Sequence, residues 1–315
     1  MRIAIIGRTR PLIRAAELLR DAGYDIPIVW TARSEPYYAA TESDFRELAA
    51  SVGAKFIQSP DTRTSNGISL FREVECDAAL SINWPVVMPS ALLALFRLGI
   101  LNAHAGDLPR YRGNACPNWA LLNQETRIGL TIHQMDSGLD SGPIILKRYL
   151  DIDQTTYISD VYHWLDRTIP GAFLDGVERL ADPAFSPTPQ DLVGMEVLRT
   201  YPRRPSDALI DWRQDAFEIH RLVRASSRPF AGAFTWLEGQ TRLTVWRAEV
   251  EQHPESWSAV PGQVCFQSHG DPVIACASGL LRLTDVSIGG LNHRESVAIV
   301  LESLRNRLTS AQDRW

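Results

Sequence analysis

The sequence has no apolar run long enough to cross a membrane and contains few cysteines. Nothing approaches the roughly eighteen consecutive apolar residues that a spanning helix needs, so no transmembrane segment is predicted. Segment 1–7 turns polar too early for a secretory signal and is typical of a first strand. The four cysteines show no C-x-x-C pair and no zinc-type spacing with histidine. We therefore expect a cytoplasmic protein with reduced thiols and no metal site.

An excess of positive charge is also missing. The formal net charge is −5, and the pI calculated from the sequence is about 5.8. A protein that holds a polyanion through several phosphates usually carries a basic face. The arginines are numerous enough to form a local patch, but the overall charge predicts no nucleic-acid partner.

The glycine pattern of a dinucleotide-binding loop is incomplete. Gly7 follows the first strand, but segment 8–11 contains neither the second nor the third glycine of that pattern. Close approach of the backbone to a pyrophosphate is therefore unsupported. A nucleotide-binding oxidoreductase is an alternative that this loop disfavours.

Short β-rich runs alternate with helical patterns through the first hundred residues. Segment 12–21 places Leu12, Ala15, Ala16 and Leu19 on one helical face. Further predictions are strands at 2–6, 25–31, 55–58, 77–83 and 99–104, and helices at 43–52 and 89–96. Strands that alternate with helices indicate βαβ units and a mainly parallel sheet.

The chain changes character beyond residue 180. An extended segment at 142–152 and a long helix at 156–180 precede a proline-rich stretch, 181–205, with little periodicity. A helix at 216–226 follows, and then short strands at 233–237, 243–250, 262–266, 273–277 and 280–286. Such a series is typical of a small β-barrel. The predicted fold class is α/β, with a Rossmann-like domain over 1–185, a linker over 186–205 and an OB-like barrel over 206–315.

A polar, glycine-containing cluster occupies 101–113. Asn102 and His104 are two residues apart, so on a strand they project to the same side at its carboxyl end. Ligand crevices form at that end in open α/β sheets. An amide can stabilise a developing oxyanion and an imidazole can move a proton, which suits acyl transfer. The competing interpretation is a hydrogen-bonded turn at the end of a strand.

A second polar cluster, 135–142, is a glycine-rich loop that carries Asp136 and Asp140. Either carboxylate can orient the His104 ring and raise its pKa, and the spacing does not choose between them. The loop is equally compatible with a turn capped by its own side chains.

These residues belong to a longer ordered pattern. Asn102-x-His104, Leu108-Pro-x-Tyr-Arg-Gly113, Pro117-x-Trp119 and Gly138-Leu-Asp-Ser-Gly142 resemble the signature of the methionyl-tRNA formyltransferase family, which includes sugar N-formyltransferases. The resemblance resumes beyond the predicted linker at Tyr201-Pro-Arg-Arg-Pro205 and 210–234, so it covers essentially the whole chain. It implies an enzyme that takes a formyl group from 10-formyltetrahydrofolate without a metal.

The same resemblance implies a role for each site residue. Asn102 would stabilise the oxyanion, His104 would be the general acid/base, and Asp140, rather than Asp136, would hold and tune His104. Folate in this family lies against two loops, which here contain Val86, Val87, Met88, Asp136, Gly138 and Leu139. Residues 86–88 are equally compatible with a purely structural role, in which they begin the helix predicted at 89–96.

Departures from the motif of tRNA-acting members bear on the acceptor. Where those members have Ser-Leu-Leu-Pro, this sequence has Gly106-Asp107-Leu108-Pro109. Asn114 is the residue that follows Arg112-Gly113. This run resembles formyltransferases that act on nucleotide-linked 4-amino sugars. The expected acceptor is therefore a UDP- or dTDP-linked 4-amino-4,6-dideoxyhexose used for surface polysaccharide such as lipopolysaccharide O-antigen. The residues expected to contact it are Asp107, Arg112, Asn114, Tyr201, Arg203 and Arg204.

Other expectations follow from the resemblance or compete with it. Paired guanidiniums suit a diphosphate, although Arg203 and Arg204 are equally compatible with a solvated basic pair. A homodimer is expected because sugar formyltransferases are often dimers. A methionyl-tRNA formyltransferase is the alternative enzyme, and an OB-domain protein that binds single-stranded nucleic acid is the alternative from another class.

Overall fold

The computed structural model describes residues 1–35, 38–61, 65–190 and 196–310. The chain divides into two compact units, each assembled from three stretches. The first, here called the N-terminal unit, comprises Met1–Cys116, Arg127–Asp151 and Tyr162–Tyr201. The C-terminal unit comprises Pro117–Thr126, Ile152–Val161 and Pro202–Trp315. The contiguous boundaries at 185 and 206 stay a prediction.

A seven-stranded sheet forms the centre of the N-terminal unit. In chain order its strands are β1 Ile3–Gly7, β2 Ile28–Thr31, β3 Lys55–Gln58, β4 Ala78–Ile82, β5 Ile100–His104, β7 Arg127–Gln134 and β8 Ile144–Asp151. Their spatial order is β3-β2-β1-β4-β5-β7-β8. The short strand β6, Arg112–Gly113, lies outside this sheet. The first five are parallel, whereas β7 is antiparallel to both β5 and β8. The predicted α/β class with a mainly parallel sheet is confirmed.

Six helices lie among the described residues up to residue 181. They are α1 Arg10–Asp21, α2 Glu42–Val52, α3 Ser65–Val74, α4 Ser90–Leu93, α5 Cys116–Leu122 and α6 Ile158–Ala181. The predicted apolar face of α1 is confirmed, because its four residues are all buried. A capping box between Thr41 and Asp44 starts α2, and Gly53 ends it in the left-handed conformation.

Several elements differ from the predictions. The helix predicted over 89–96 spans only Ser90–Leu93. The second strand begins at Ile28 instead of residue 25, and Pro27, which has no N–H to donate, stands directly before it. Within the predicted linker, Arg199–Thr200 forms a short strand, β9, that pairs in parallel with β6, Arg112–Gly113.

An antiparallel six-stranded sheet forms the C-terminal unit. Its strands are β10 Ala233–Leu237, β11 Thr241–Glu251, β12 Val264–Ser268, β13 Asp271–Ala275, β14 Leu280–Ile288 and β15 Leu308–Thr309, accompanied by helices α7 Ala216–Ser226 and α8 His293–Val300. The sheet curls, and a bridge between Gln263 and Arg307 joins its two edges. One apolar cluster, including Trp212, Ile219 and Val286, fills the interior. The predicted OB-like barrel is thus confirmed.

The sheet of the N-terminal unit places the polar residues of β5 beside a rigid core. Ser81 of β4 lies in register between Ile6 of β1 and Asn102 of β5. Two residue pairs earlier, Ala79 and Ile100 lie in register and belong to a buried apolar cluster. The carboxyl end of β5 is therefore held by packing on its neighbours before any polar contact is made.

Candidate active site

Asn102 and His104 lie at the carboxyl end of β5, with their side chains on the same side of the sheet. His104 is 7% exposed, and its Nε2 lies 2.7 Å from the backbone oxygen of Tyr111. A carbonyl oxygen only accepts, so Nε2 carries the hydrogen of that bond. Asn102 is half-buried, and its Nδ2 is directed toward the ring of His133.

Asp140 reaches His104 from the loop after β7. Its Oδ2 lies 3.6 Å from Nδ1 of His104 and accepts a hydrogen bond of 2.9 Å from the backbone N–H of Gly113. Asp136 faces its own loop instead, since its carboxylate accepts bonds from Gly138 N and Ser141 Oγ. The structure therefore brings Asp140 to the histidine and leaves Asp136 as a cap of the loop.

The backbone of the Asp140 loop is held from outside. Asp140 has a φ of 51°, in the left-handed region that non-glycine residues seldom adopt. Gln190 Nε2 donates to the carbonyl oxygens of Asp140 and Gly142, each at 2.8 Å. Its Oε1 accepts two bonds from the guanidinium of Arg112. One side chain thus ties the loop to β6 beside the active site.

The surroundings of His104 favour its protonated form. Burial alone lowers the pKa of the His104 ring, but the Cys116 sulfur, the Asp140 carboxylate and the Tyr111 carbonyl together raise it above its ordinary value. Both ring nitrogens face acceptors, as an imidazolium requires. A protonated His104 is thus able to donate a proton within this site.

Two residues near His104 were not part of the predicted site. His133 of β7 lies in register with Asn102 and is 2% exposed. In the sequence, apolar Leu130 and Ile132 alternate with polar residues. This period of two is typical of a strand, with His133 on the face opposite to Leu130 and Ile132. That signal was available, but no strand was predicted there.

Cys116 lacks a nearby base in the sequence, but the fold brings its thiol close to His104. Its Sγ lies 3.6 Å from Nε2 of His104. The thiol is buried and donates to the Tyr111 oxygen at 3.2 Å. His104 Nε2 donates to that same oxygen. It is therefore placed as a hydrogen-bond donor and does not act as a base for the Cys116 thiol.

The two predicted folate loops present apolar groups to different degrees. Val86 and Val87 are 44% and 70% exposed, and Leu139 is 42% exposed. Met88 instead is buried in the apolar cluster under β4 and β5. Gly138 donates its backbone N–H to Asp136, which shapes the second loop. The exposed members therefore remain able to contact a ligand, whereas the Met88 side chain belongs to the core.

Two of the predicted acceptor-binding residues have partners within the chain. Asp107 lies 2.7 Å from Lys147 Nζ and 3.2 Å from Arg127, and accepts a bond of 3.1 Å from Tyr149. Arg112 donates to Gln190, as described above. A substrate group would have to compete with these bonds.

The other four predicted acceptor-binding residues are more open. Asn114 and Arg204 are exposed, and Tyr201 is 66% exposed. Arg203 is half-buried, with its guanidinium 5.9 Å from the Trp119 ring centroid and one hydrogen bond to the Asp207 carbonyl. Contacts of these residues with a substrate stay predictions.

Within the described parts of the chain, no three His, Cys, Asp or Glu side chains are grouped as they would be to hold a metal ion. Among the same residues, no helix is both long and apolar enough to span a bilayer.

Family models match most of the chain. Residues 1–172 match the formyl transferase family, and residues 203–295 match the formyl transferase C-terminal domain. The methionyl-tRNA formyltransferase of Geobacter metallireducens is 30% identical over 245 residues, which is 77% of this chain and 76% of that protein. That of Sorangium cellulosum is 30% identical over 242 residues, with the same coverage. The chain belongs to the formyl transferase family.

Solved structures share the fold. HypX from Aquifex aeolicus matches with a TM-score of 0.64 and 19% identity over 96% of this chain, which spans only 48% of HypX. WlaRD, a sugar 3N-formyl transferase crystallised with dTDP and 5-N-formyl-THF, has a TM-score of 0.63 and 15% identity, covering 92% of this chain and 98% of WlaRD. An N-formyltransferase from Helicobacter canadensis, bound to folinic acid and dTDP-3-aminofucose, has the same score and identity, covering 89% and 98%.

Proposed function

We propose that the protein transfers a formyl group from 10-formyltetrahydrofolate to the amine of a nucleotide-linked amino sugar. The observation that carries the proposal is the meeting of Asn102, His104 and Asp140 at the carboxyl end of β5. An amide, an imidazole with raised pKa and a carboxylate behind it are the groups that acyl transfer to an amine requires.

The folate is a co-substrate, and when bound it supplies the formyl group on N10. Asn102 Nδ2 donates to the formyl oxygen as that oxygen gains negative charge during attack by the amine. Imidazolium His104 donates its proton to the departing N10. It then takes a proton from the attacking nitrogen, so that one proton passes from amine to N10 and His104 is restored. Asp140 holds the ring for both transfers.

Exposed apolar side chains support folate as the donor. Val86, Val87 and Leu139 leave apolar surface uncovered on the two loops, and the Val86–Val87 loop leaves the sheet at the same edge as His104. A pterin ring is flat and largely apolar on its faces, so such side chains suit it. HypX has also been crystallised with tetrahydrofolic acid.

Charge supports a small acceptor over a tRNA. The net charge is −5, and the sequence has only two lysines. Both are paired with carboxylates, Lys55 with Glu73 and Lys147 with Asp107. Paired cations contribute little to holding a polyanion, since each must first give up its carboxylate. The sequence departures at Gly106 and Asn114 point the same way.

Methionyl-tRNA is the second candidate acceptor. The 30% identity to two methionyl-tRNA formyltransferases favours it. The 30 arginines also leave room for a local basic surface.

One assay separates the candidates. Purified protein is given 10-formyltetrahydrofolate carrying a labelled formyl group, with UDP- or dTDP-linked 4-amino-4,6-dideoxyhexoses, or with methionyl-tRNA. We expect the label in an amide on a sugar nucleotide. Label on methionyl-tRNA alone would refute the sugar acceptor and retain formyl transfer. No transfer to any acceptor would count against the proposed function as a whole.

The cytoplasmic location, the homodimer and a role in surface polysaccharide stay part of the proposal. Light scattering coupled to gel filtration gives the mass in solution. A mass of about 70 kDa, twice the 35.2 kDa chain mass, is expected for the dimer.

A further inference from the structure

His133 is a buried histidine that the mechanism above does not use. It stands on β7 directly opposite Asn102, and it is 2% exposed. Its ring centroid is 6.2 Å from that of His104. A buried polar ring at this distance from a reacting group needs a defined hydrogen-bonding state.

The hydrogen bonds of His133 fix that state. Its Nδ1 lies 2.9 Å from the backbone oxygen of Gln134, an acceptor, so Nδ1 carries a hydrogen. Its Nε2 lies 3.1 Å from Nδ2 of Asn102, an amide nitrogen that only donates. Nε2 is therefore the unprotonated nitrogen, and it accepts a hydrogen bond from Asn102.

Burial and the nearby charge of His104 keep the His133 ring neutral. Burial is the main cause of a low pKa, and together with the nearby charge of His104 it brings the pKa of His133 down to about 4. The Asp140 carboxylate, 3.7 Å from Nε2, acts in the opposite direction, as does Asp136 more weakly. Near neutral pH, the ring offers its lone pair to Asn102.

We propose that His133 is the positioning residue that sets the orientation of the Asn102 amide. Because Nε2 accepts only from the amide nitrogen, it holds Nδ2 in place and leaves the second N–H of Nδ2 to face the formyl oxygen. An amide turned by half a rotation would put Oδ1 against the His133 lone pair, which is repulsive. This role rests on the proposed formyl transfer.

Two substitutions of His133 separate positioning from packing. In His133→Leu the acceptor is lost, and kcat falls about 10- to 100-fold, less than the usual loss of an entire oxyanion donor. In His133→Gln the side-chain oxygen replaces Nε2 as acceptor, and kcat returns to within about threefold of wild type. The KM for the folate changes little in both. His220→Leu, which removes a buried neutral histidine of α7, is the matched control and leaves kcat unchanged.

A double-mutant cycle with Asn102→Ala tests the link directly. If His133 acts through Asn102, His133→Leu changes kcat less than about twofold once Asn102 is alanine. Equal losses in both backgrounds would overturn the proposal, as would a folded His133→Gln enzyme as impaired as His133→Leu.

The histidine tautomer gives a test that needs neither activity nor a variant that folds. Ring ¹⁵N chemical shifts of the wild-type protein should show His133 as the neutral form protonated at Nδ1. An Nε2-protonated or doubly protonated ring at neutral pH would refute the positioning role. Because this measurement uses no substrate, it stands apart from any failure of the proposed formyl transfer.

Discussion

Oδ2 of Asp140 lies 3.6 Å from Nδ1 of His104, and the backbone φ of Asp140 is 51°. The carboxylate approaches the ring from a loop whose carbonyls are held by another side chain. Proton transfer at His104 therefore depends on a loop conformation as well as on a charge.

Replacing Asp140 with asparagine tests that dependence. We expect kcat to fall on the order of 10²-fold, a typical share of general acid–base catalysis. Because the carboxylate raises the pKa of His104, its loss lowers that pKa and moves the alkaline limb of the kcat profile to lower pH. Steady-state rates over a pH series provide the measurement. Asp151→Asn, an exposed change at the end of β8, is the control. An unmoved alkaline limb would refute the tuning role.

Gly106 leaves space that His104 needs. A Cβ at this position would lie 2.5 Å from both His104 Nε2 and the Tyr111 oxygen. Gly106→Ala should therefore displace the ring and lower kcat roughly 10- to 100-fold, as misplacement of a reacting group commonly does. Gly171→Ala is the matched control, because a Cβ there meets nothing within 4 Å. Comparable kcat values for the two variants would contradict this geometry.

Gln190 joins β6 to the Asp140 loop through both ends of its amide. Gln190→Leu removes these bonds and should lower the free energy of unfolding by about 1–3 kcal/mol and reduce kcat. Gln190→Glu keeps the acceptor for Arg112 but sets a carboxylate oxygen against the carbonyls of Asp140 and Gly142. Urea unfolding and kcat are measured for both. If Gln190→Glu matches wild type, the donor half of the amide does not hold the loop.

The sequence predicted the sheet because its strands are strongly apolar and alternate with helical patterns. Residues 3–7 and 78–82 are buried throughout, as central parallel strands require. The strand Arg127–Gln134 was missed, and so the position of His133 opposite Asn102 was missed with it. Register between distant strands is a tertiary property that no local pattern contains.

The choice between Asp136 and Asp140 shows the same limit. Both are carboxylates in one glycine-rich loop, and only the resemblance selected Asp140 from the sequence. In the fold, the Gly113 N–H and the Gln190 amide fix Asp140 at the histidine, while Asp136 closes its own turn. Gln190 comes 50 positions later in the chain than Asp140, beyond the reach of any motif.

Asn102 and His104 at the end of β5 are the residues that we propose perform formyl transfer. The most direct measurement is kcat of His104→Ala beside wild type, followed as formyl transfer from 10-formyltetrahydrofolate to the best acceptor, with thermal unfolding recorded for both. We expect a folded variant whose kcat is lower by roughly 10²- to 10⁴-fold. A folded His104→Ala protein that transfers the formyl group at close to the wild-type rate would contradict this proposal.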